Sequence, residues 1–166
     1  MIWCEEQDWL YEVFDLTTDP GEFGAHADFV RIWAAKLAPG KLPLKSEFGF
    51  EDFRGWWGWI TMGELLDPEG GTMRYRLWGS HIAELTRLEM TGKTMQQQYG
   101  ERIDATNYNE FDLAFIQRLV REPAIGRQSG PVDWDIPDYQ RMSTLRLPLS
   151  RDGSRVDYLV SAVIAT

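Results

Sequence analysis

Apolar residues recur along the chain at two spacings, and the changes between them mark the expected elements. Trp9, Leu10, Val13 and Phe14 fall at i, i+1, i+4 and i+5, the stripe of a short amphipathic helix. An edge strand over the same residues is the competing reading. Pro20, Gly21 and Gly24 then interrupt the chain. Phe29, Ile32, Trp33 and Leu37 share one face of a helix expected from about Ala25 to Leu37, with Pro39 and Gly40 to stop it. A loop with one helical turn leads to WWGWITMGELLD (56–67), a run rich in β-formers, and MRYRLWG (73–79) alternates as its hairpin partner across PEGGT.

Short helices are expected over SHIAELTRLEMTGKTM (80–95), broken near Thr91 and Gly92, and a longer one from Asn107 to Arg121, with Phe111, Ala114, Phe115, Arg118 and Leu119 on one side. Three extended stretches close the chain: IGRQSGPVDW, YQRMSTLRLPLS and RVDYLVSAVIA. The last two are joined through Asp152-Gly153, a pair that favours a tight hairpin because the turn wants positive φ. Strands divided by helices predict an α+β fold with an antiparallel sheet, its apolar face covered by the helices.

Composition supports a packed domain: 43% of the 166 residues are hydrophobic and 13% aromatic, with eight tryptophans. Charge is distributed unevenly. The net charge is −9, and residues 1–30 hold eight acids and no Lys or Arg, which leaves 18 acids against 17 bases elsewhere. Without a basic stripe neither nucleic acid nor an anionic membrane surface is the expected partner. The acid-interrupted start, MIWCEEQDWL, is not expected to be a signal peptide, and no apolar run is long enough to span a bilayer. The single cysteine, Cys4, permits no intrachain disulfide, in keeping with a cytoplasmic setting.

The order and spacing of these pieces resemble the PAS family over roughly residues 28–166. MRYRLWGSHIAELTRLEMTGKTM (73–95) is similar to the second PAS strand, its glycine exit, the first short helix and the step before the next. LPLSRDGSRVDYLVSAVIA (147–165) is similar to the terminal hairpin, and DFVRIWAAKLAPGKLPLKSEFGFEDF (28–53) to the start of a bacterial stand-alone subgroup. One loop departs: where that subgroup carries R-x-D-x-D-P, this chain has Leu44 to Phe50, LKSEFGF. The resemblance implies a five-stranded antiparallel sheet in residues 25–166 with helices over one face, preceded by an acidic helical extension in residues 1–24. It also implies a sensory or regulatory module that binds a small ligand or a protein partner without catalysis. A homodimer through the N-terminal extension or the outer sheet face is expected, and a signalling protein is the other expected partner. No cofactor is predicted, with haem and flavin left open. A filled structural dimerisation core and a small enzyme in the same cup are the alternatives.

Candidate chemistry is sparse. His81 is one of two histidines, and neither His26 nor Cys4 stands at ligand spacing from it. Haem ligation and a helix-start residue at the rim of a pocket are its two readings. Ser80 beside it reads as an N-cap rather than a nucleophile. Gly79 reads as the turn from strand to helix, with phosphate binding as the alternative. Glu51-Asp52 and Asp133 with Asp135 read as solvated loop charges. Strict alternation places Arg74, Arg76 and Trp78 on one strand face and Tyr75 and Leu77 on the other, so Arg76 is expected outside, near the acidic N-terminus. The expected ligand-binding set is Tyr75, Leu77, His81, Leu85, Leu145, Leu147 and Tyr158, closed over by Phe111 and Phe115. A fully packed core of the same residues is the other reading.

Overall fold

The structure, a computed structural model, describes residues 1–6, 8–100, 108–132 and 138–166. Seven strands form one antiparallel sheet: β1 (Ile2–Glu6), β2 (Trp9–Phe14), β3 (Ile60–Leu65), β4 (Met73–Trp78), β5 (Ile125–Pro131), β6 (Arg141–Leu149) and β7 (Tyr158–Ala165). They lie in the order β1-β2-β5-β6-β7-β3-β4. Four α-helices accompany them: α1 (Ala27–Ala34), α2 (Ser80–Thr86), α3 (Met95–Gly100) and α4 (Tyr108–Arg121). The α+β class holds, with two strands more than the five expected.

The extra strands are the N-terminal segment, which is a β-hairpin and not a helix. Trp9, Tyr11 and Val13 are buried while Leu10, Glu12 and Phe14 are half-buried, so the period is 2 and the helical stripe fails. β2 pairs with β5, from Leu10 opposite Ser129 to Phe14 opposite Ile125. Two glycines of β5 make room for what covers this end. A Cβ on Gly126 would lie 2.4 Å from Leu119 Cδ1, and one on Gly130 would lie 2.2 Å from the Trp9 ring. Bulky side chains of α4 and β2 therefore rest directly on the backbone of β5.

Both sheet faces are covered, a second correction. On one face, α1 and the 3-10 turns at Pro20–His26 and Phe50–Phe53 bring Phe23, Phe29, Trp33 and Phe53 against Leu145, Leu147 and Val160. Trp33 is fully buried and its indole N–H donates to Pro148 O at 2.8 Å, as a buried indole requires. On the opposite face, α2, α3 and α4 supply Ile82, Leu85, Met95, Ile116 and Val120 against Tyr75, Leu159 and Val163. The outer face, expected from the sequence to serve dimerisation, is occupied by the chain's own α1 layer.

Two local features differ from expectation. β6 and β7 are joined by residues 150–157, not a two-residue turn. Ser150 and Asp157 organise this loop, accepting from the backbone N–H groups of Gly153 and Arg151, while Gly153 takes the positive φ of +91° that the sequence predicted. At the exit of β4, Gly79 itself is the N-cap of α2 and Ser80 makes no side-chain cap bond. The Gly58 carbonyl instead accepts from the N–H groups of His81 and Ile82, at 3.0 and 3.2 Å. That carbonyl would stand 2.2 Å from a Cβ at position 79. Glycine is needed for close approach, since its φ of −62° is ordinary.

Candidate functional site

The helical face of the sheet is not uniformly apolar. Beneath α4 the floor is polar: Thr61 from β3, Gln128 from β5, Thr144 and Arg146 from β6, and Ser161 from β7. The register places them in two cross-strand rows. In one, Arg146 stands opposite Ser161, Ser161 opposite Thr61, and Thr61 opposite Trp78; in the other, Gln128 stands opposite Thr144. Thr61, Arg146 and Ser161 are each flanked along their strands by residues of the α1 layer (Ile60 and Met62, Leu145 and Leu147, Val160 and Ala162), so alternation sends these polar side chains toward the opposite helices.

A cavity of about 60 Å³ lies above this floor, room for roughly four to six waters at 10–15 Å³ each. Its walls are apolar and aromatic: Met73, Tyr75, Trp78, Ile82, Met142 and Val163. Trp78 is fixed by its indole N–H, which donates to Leu88 O at 2.9 Å, and the Tyr75 ring meets it edge-on at 4.7 Å. From above, α4 contributes Asp112, whose Oδ1 accepts from Arg146 Nη2 at 3.3 Å. The two side chains are 7% and 11% exposed, so this pair sits inside the core and not on a screened surface.

The pair also touches the packing that seats the N-terminal hairpin. The Arg146 guanidinium stands 6.0 Å from the centre of the Phe115 ring. Phe115 is fully buried against Tyr11, edge-on at 5.1 Å, and Trp3, at 5.5 Å. Burial raises the Tyr11 phenol above its ordinary range, the Asp112 carboxylate adds to this, and a hydrogen bond to Gln128 opposes it. Tyr11 is therefore a neutral hydrogen-bonding partner at one end of the polar floor.

Of the residues the sequence singled out, only Tyr75 lines the cavity. Leu85 is buried in the same core, and Phe115 packs beside it toward the hairpin, with Phe111 half-buried there. Leu77, Leu145, Leu147 and Tyr158 lie on the opposite face, in the α1 layer. Leu145, Leu147 and Tyr158 share the parity of β6 and β7 that faces α1, not the cavity. For Leu77 the cause is a bulge: Met62 pairs with Leu77 but Gly63 pairs with Tyr75, so Arg76 is the extra residue. Past it, Leu77 turns to the α1 layer and Trp78 returns to the cavity. Arg76 does point outward, but its partner is Glu64, not the N-terminal acids.

His81 is exposed, 5.1 Å from the Trp59 ring and 3.6 Å from the Glu84 carboxylate. Glu51 pairs with Arg54 in the exposed loop, while Asp133 and Asp135 lie outside the described residues. The buried histidine is His26, in the α1 layer, with Nε2 3.2 Å from Ala162 O and its ring stacked on Trp56. Burial pulls its pKa down to about 4. Among the described residues, no three His, Cys, Asp or Glu side chains come together as a metal-ligand set.

The site missed by the sequence reading is Asp112, Gln128, Thr144, Arg146 and Ser161. Part of its signal is in the sequence: Thr144 and Arg146 stand two apart in S-T-L-R-L-P-L, and Ser161 interrupts the apolar run L-V-S-A-V. Fold and site together define an α+β protein whose antiparallel sheet is covered on both faces and carries a partly open, polar-floored cavity on one of them. No family model, no curated protein and no solved structure matches the chain. Among the described residues no helix is long and apolar enough to cross a membrane.

Proposed function

We propose that the protein is a PAS-like sensory module that holds a small ligand in the cavity beneath α2 and α4 and transmits occupancy through the N-terminal hairpin to a partner or a second copy. The observation that carries the reading is the polar floor with its Asp112–Arg146 pair, buried under helices where a purely structural core would be apolar. The chain order supports the family resemblance: two strands (β3, β4), helices (α2–α4), then three strands (β5–β7). Transmission is supported by contact, because Arg146 and Gln128 reach Phe115 and Tyr11, on which the hairpin is seated. A filled structural core accounts less well for a cavity of about 60 Å³ lined by charged and hydroxyl groups. Haem and flavin fit poorly, since either is far larger than that volume and His81 is not among the lining residues.

A thermal-shift screen with a metabolite library tests the reading. A ligand at about 100 times its Kd adds about 2.7 kcal/mol, which for this size raises the Tm by roughly 5–10 °C. Trp78 fluorescence should change with occupancy, and filling the cavity by Ser161→Leu should abolish both responses. If Ser161→Leu leaves the response to a stabilising ligand intact, the ligand sits elsewhere and the proposal fails.

A further inference from the structure

The end of the sheet farthest from the N-terminal hairpin carries a cluster of arginines on the α1 side, away from the cavity. Two acids lie at its base: Glu64 of β3 and Asp157, just before β7, are 16% and 5% exposed. Arg76, Arg151 and Arg155 stand over them and are 49%, 47% and 61% exposed. Arg76 Nε donates to Glu64 Oε2, and Arg151 Nη2 donates to Glu64 Oε1 at 2.6 Å. Arg151 Nη1 and Arg155 Nε both donate to Asp157 Oδ1, at 3.2 and 3.1 Å, while the Arg151 backbone N–H donates to Oδ2 at 2.8 Å. The Arg151 guanidinium also lies over the Tyr158 ring, 5.1 Å from its centre. Carboxylates thus form the inner layer and guanidiniums the layer that meets solvent.

Each carboxylate is shared by two arginines, so three cations stand on two anions and one positive charge is in excess. Arg74 stands opposite Glu64 on β4, and alternation turns it to this face, because Met73 and Tyr75 line the cavity. In the adjoining loop, the Asp152 carboxylate accepts from the N–H and hydroxyl of Ser154. Stability alone asks for one cation per buried carboxylate; a further guanidinium adds repulsion between like charges. We infer that these arginines receive a phosphate monoester, a doubly charged group with three acceptor oxygens. The buried carboxylates hold the guanidiniums in place beforehand, so little side-chain freedom is lost on binding. Arg76 and Arg155 are each held through Nε, and their Nη donors provide the planar forks that match phosphate oxygens.

Titrations of the full chain at fixed ionic strength test the inference with three probes: the capped peptides Ala-pSer-Ala and Ala-Asp-Ala, and inorganic phosphate. The readout is the Nε–H resonances of Arg76 and Arg155, each assigned by its loss on substitution with Gln. Ala-pSer-Ala is expected to shift both saturably, with a Kd at least about tenfold below that of Ala-Asp-Ala. Inorganic phosphate that binds as tightly as the phosphopeptide assigns the site to a small phosphate, and weaker binding assigns it to a phosphorylated chain; both sustain it. Followed by calorimetry, Arg76→Gln with Arg155→Gln should weaken Ala-pSer-Ala by at least about tenfold. Arg118→Gln with Arg121→Gln, which removes the same charge from α4 on the opposite face, should leave its Kd within about twofold. Circular dichroism checks folding; if the Arg76 and Arg155 double variant is not folded, the wild-type ranking of the two peptides decides alone. Equal affinity for the two peptides, no shift by either, or an equal loss in the α4 variant overturns the inference.

Discussion

Asp112→Ala takes the carboxylate from a guanidinium that remains in the core. Both side chains are about nine-tenths buried or more, at 7% and 11% exposure. Breaking a buried pair by deleting one partner costs about 3–5 kcal/mol. Two features of the surroundings reduce this. The adjoining cavity of about 60 Å³ admits water to the guanidinium, and the Phe115 ring at 6.0 Å continues to face it. The expected loss is therefore about 2–3 kcal/mol, or roughly 5–10 °C in Tm for a chain of this size. Replacing both partners by apolar groups of similar volume, Asp112→Leu with Arg146→Met, should return stability to within about 1 kcal/mol of wild type. Urea unfolding followed by tryptophan fluorescence measures all three, with an unchanged m-value confirming that the same surface is exposed. A single variant that loses under about 1 kcal/mol, or a double variant as weak as the single, would show that the pair is not a buried charge couple.

Three further perturbations address other parts of the molecule. His26 has its pKa lowered from 6.5 to about 4 by burial, so the unfolded chain takes up the proton first as pH falls. Its contribution is complete above about pH 6.5, declines through the interval to pH 4 by up to about 3 kcal/mol, and levels off below that; His26→Gln should flatten this part of the stability–pH curve. Gly79→Ala sets a Cβ 2.2 Å from the Gly58 carbonyl oxygen and should cost at least about 2 kcal/mol by denaturant titration, whereas Ser80→Ala, lacking a cap bond to lose, should stay within about 0.5 kcal/mol. Equal effects at the two positions would contradict the role given to Gly79. Deleting residues 1–14 strips the cover from Phe115 and Leu119 and bares the edge of β5; aggregation by light scattering is the expected outcome, and a monodisperse truncated chain of native stability would argue that the hairpin is dispensable.

Much of the framework was legible because burial obeyed simple periods. α1 and α4 follow the 3.6-residue repeat, and β3, β4, β6 and β7 are bounded by the expected breakers. The N-terminal hairpin was ambiguous for a physical reason: Trp9 and Val13 satisfy a helical stripe and an alternating one equally. Tyr11 breaks the tie, being 1% exposed, but its burial depends on pairing with β5, more than a hundred residues away. The site is misplaced in the sequence reading because Leu145, Leu147 and Tyr158 are expected on a single helix-covered face, with the other face open. That expectation suits a sheet with one open face; here α1 occupies the side assumed open, and alternation only says which residues share a face, not which face is dry.

The bulge at Arg76 decides which side chains of β4 reach the cavity. Under strict alternation Leu77 would share the cavity face with Tyr75, and Trp78 would point into the layer of Ile60 and Met62. The polar row of Arg146, Ser161 and Thr61 would then end on an aliphatic side chain. The extra residue reverses this: Thr61 pairs with Trp78, and the row ends on an indole held in place by the Leu88 carbonyl. Gly63, on the strand opposite, carries no Cβ where the Met73 sulfur lies, 2.2 Å from the position one would take, so Met73 folds over the backbone there and becomes part of the wall. A bulge in one edge strand and a missing side chain in its neighbour thus turn a regular pleat into one end of a cavity, with a flat aromatic surface beside a row of hydrogen-bonding groups. A chain selected only to fill its core would gain nothing from that arrangement, since regular alternation would bury Leu77 at no cost in strand pairing.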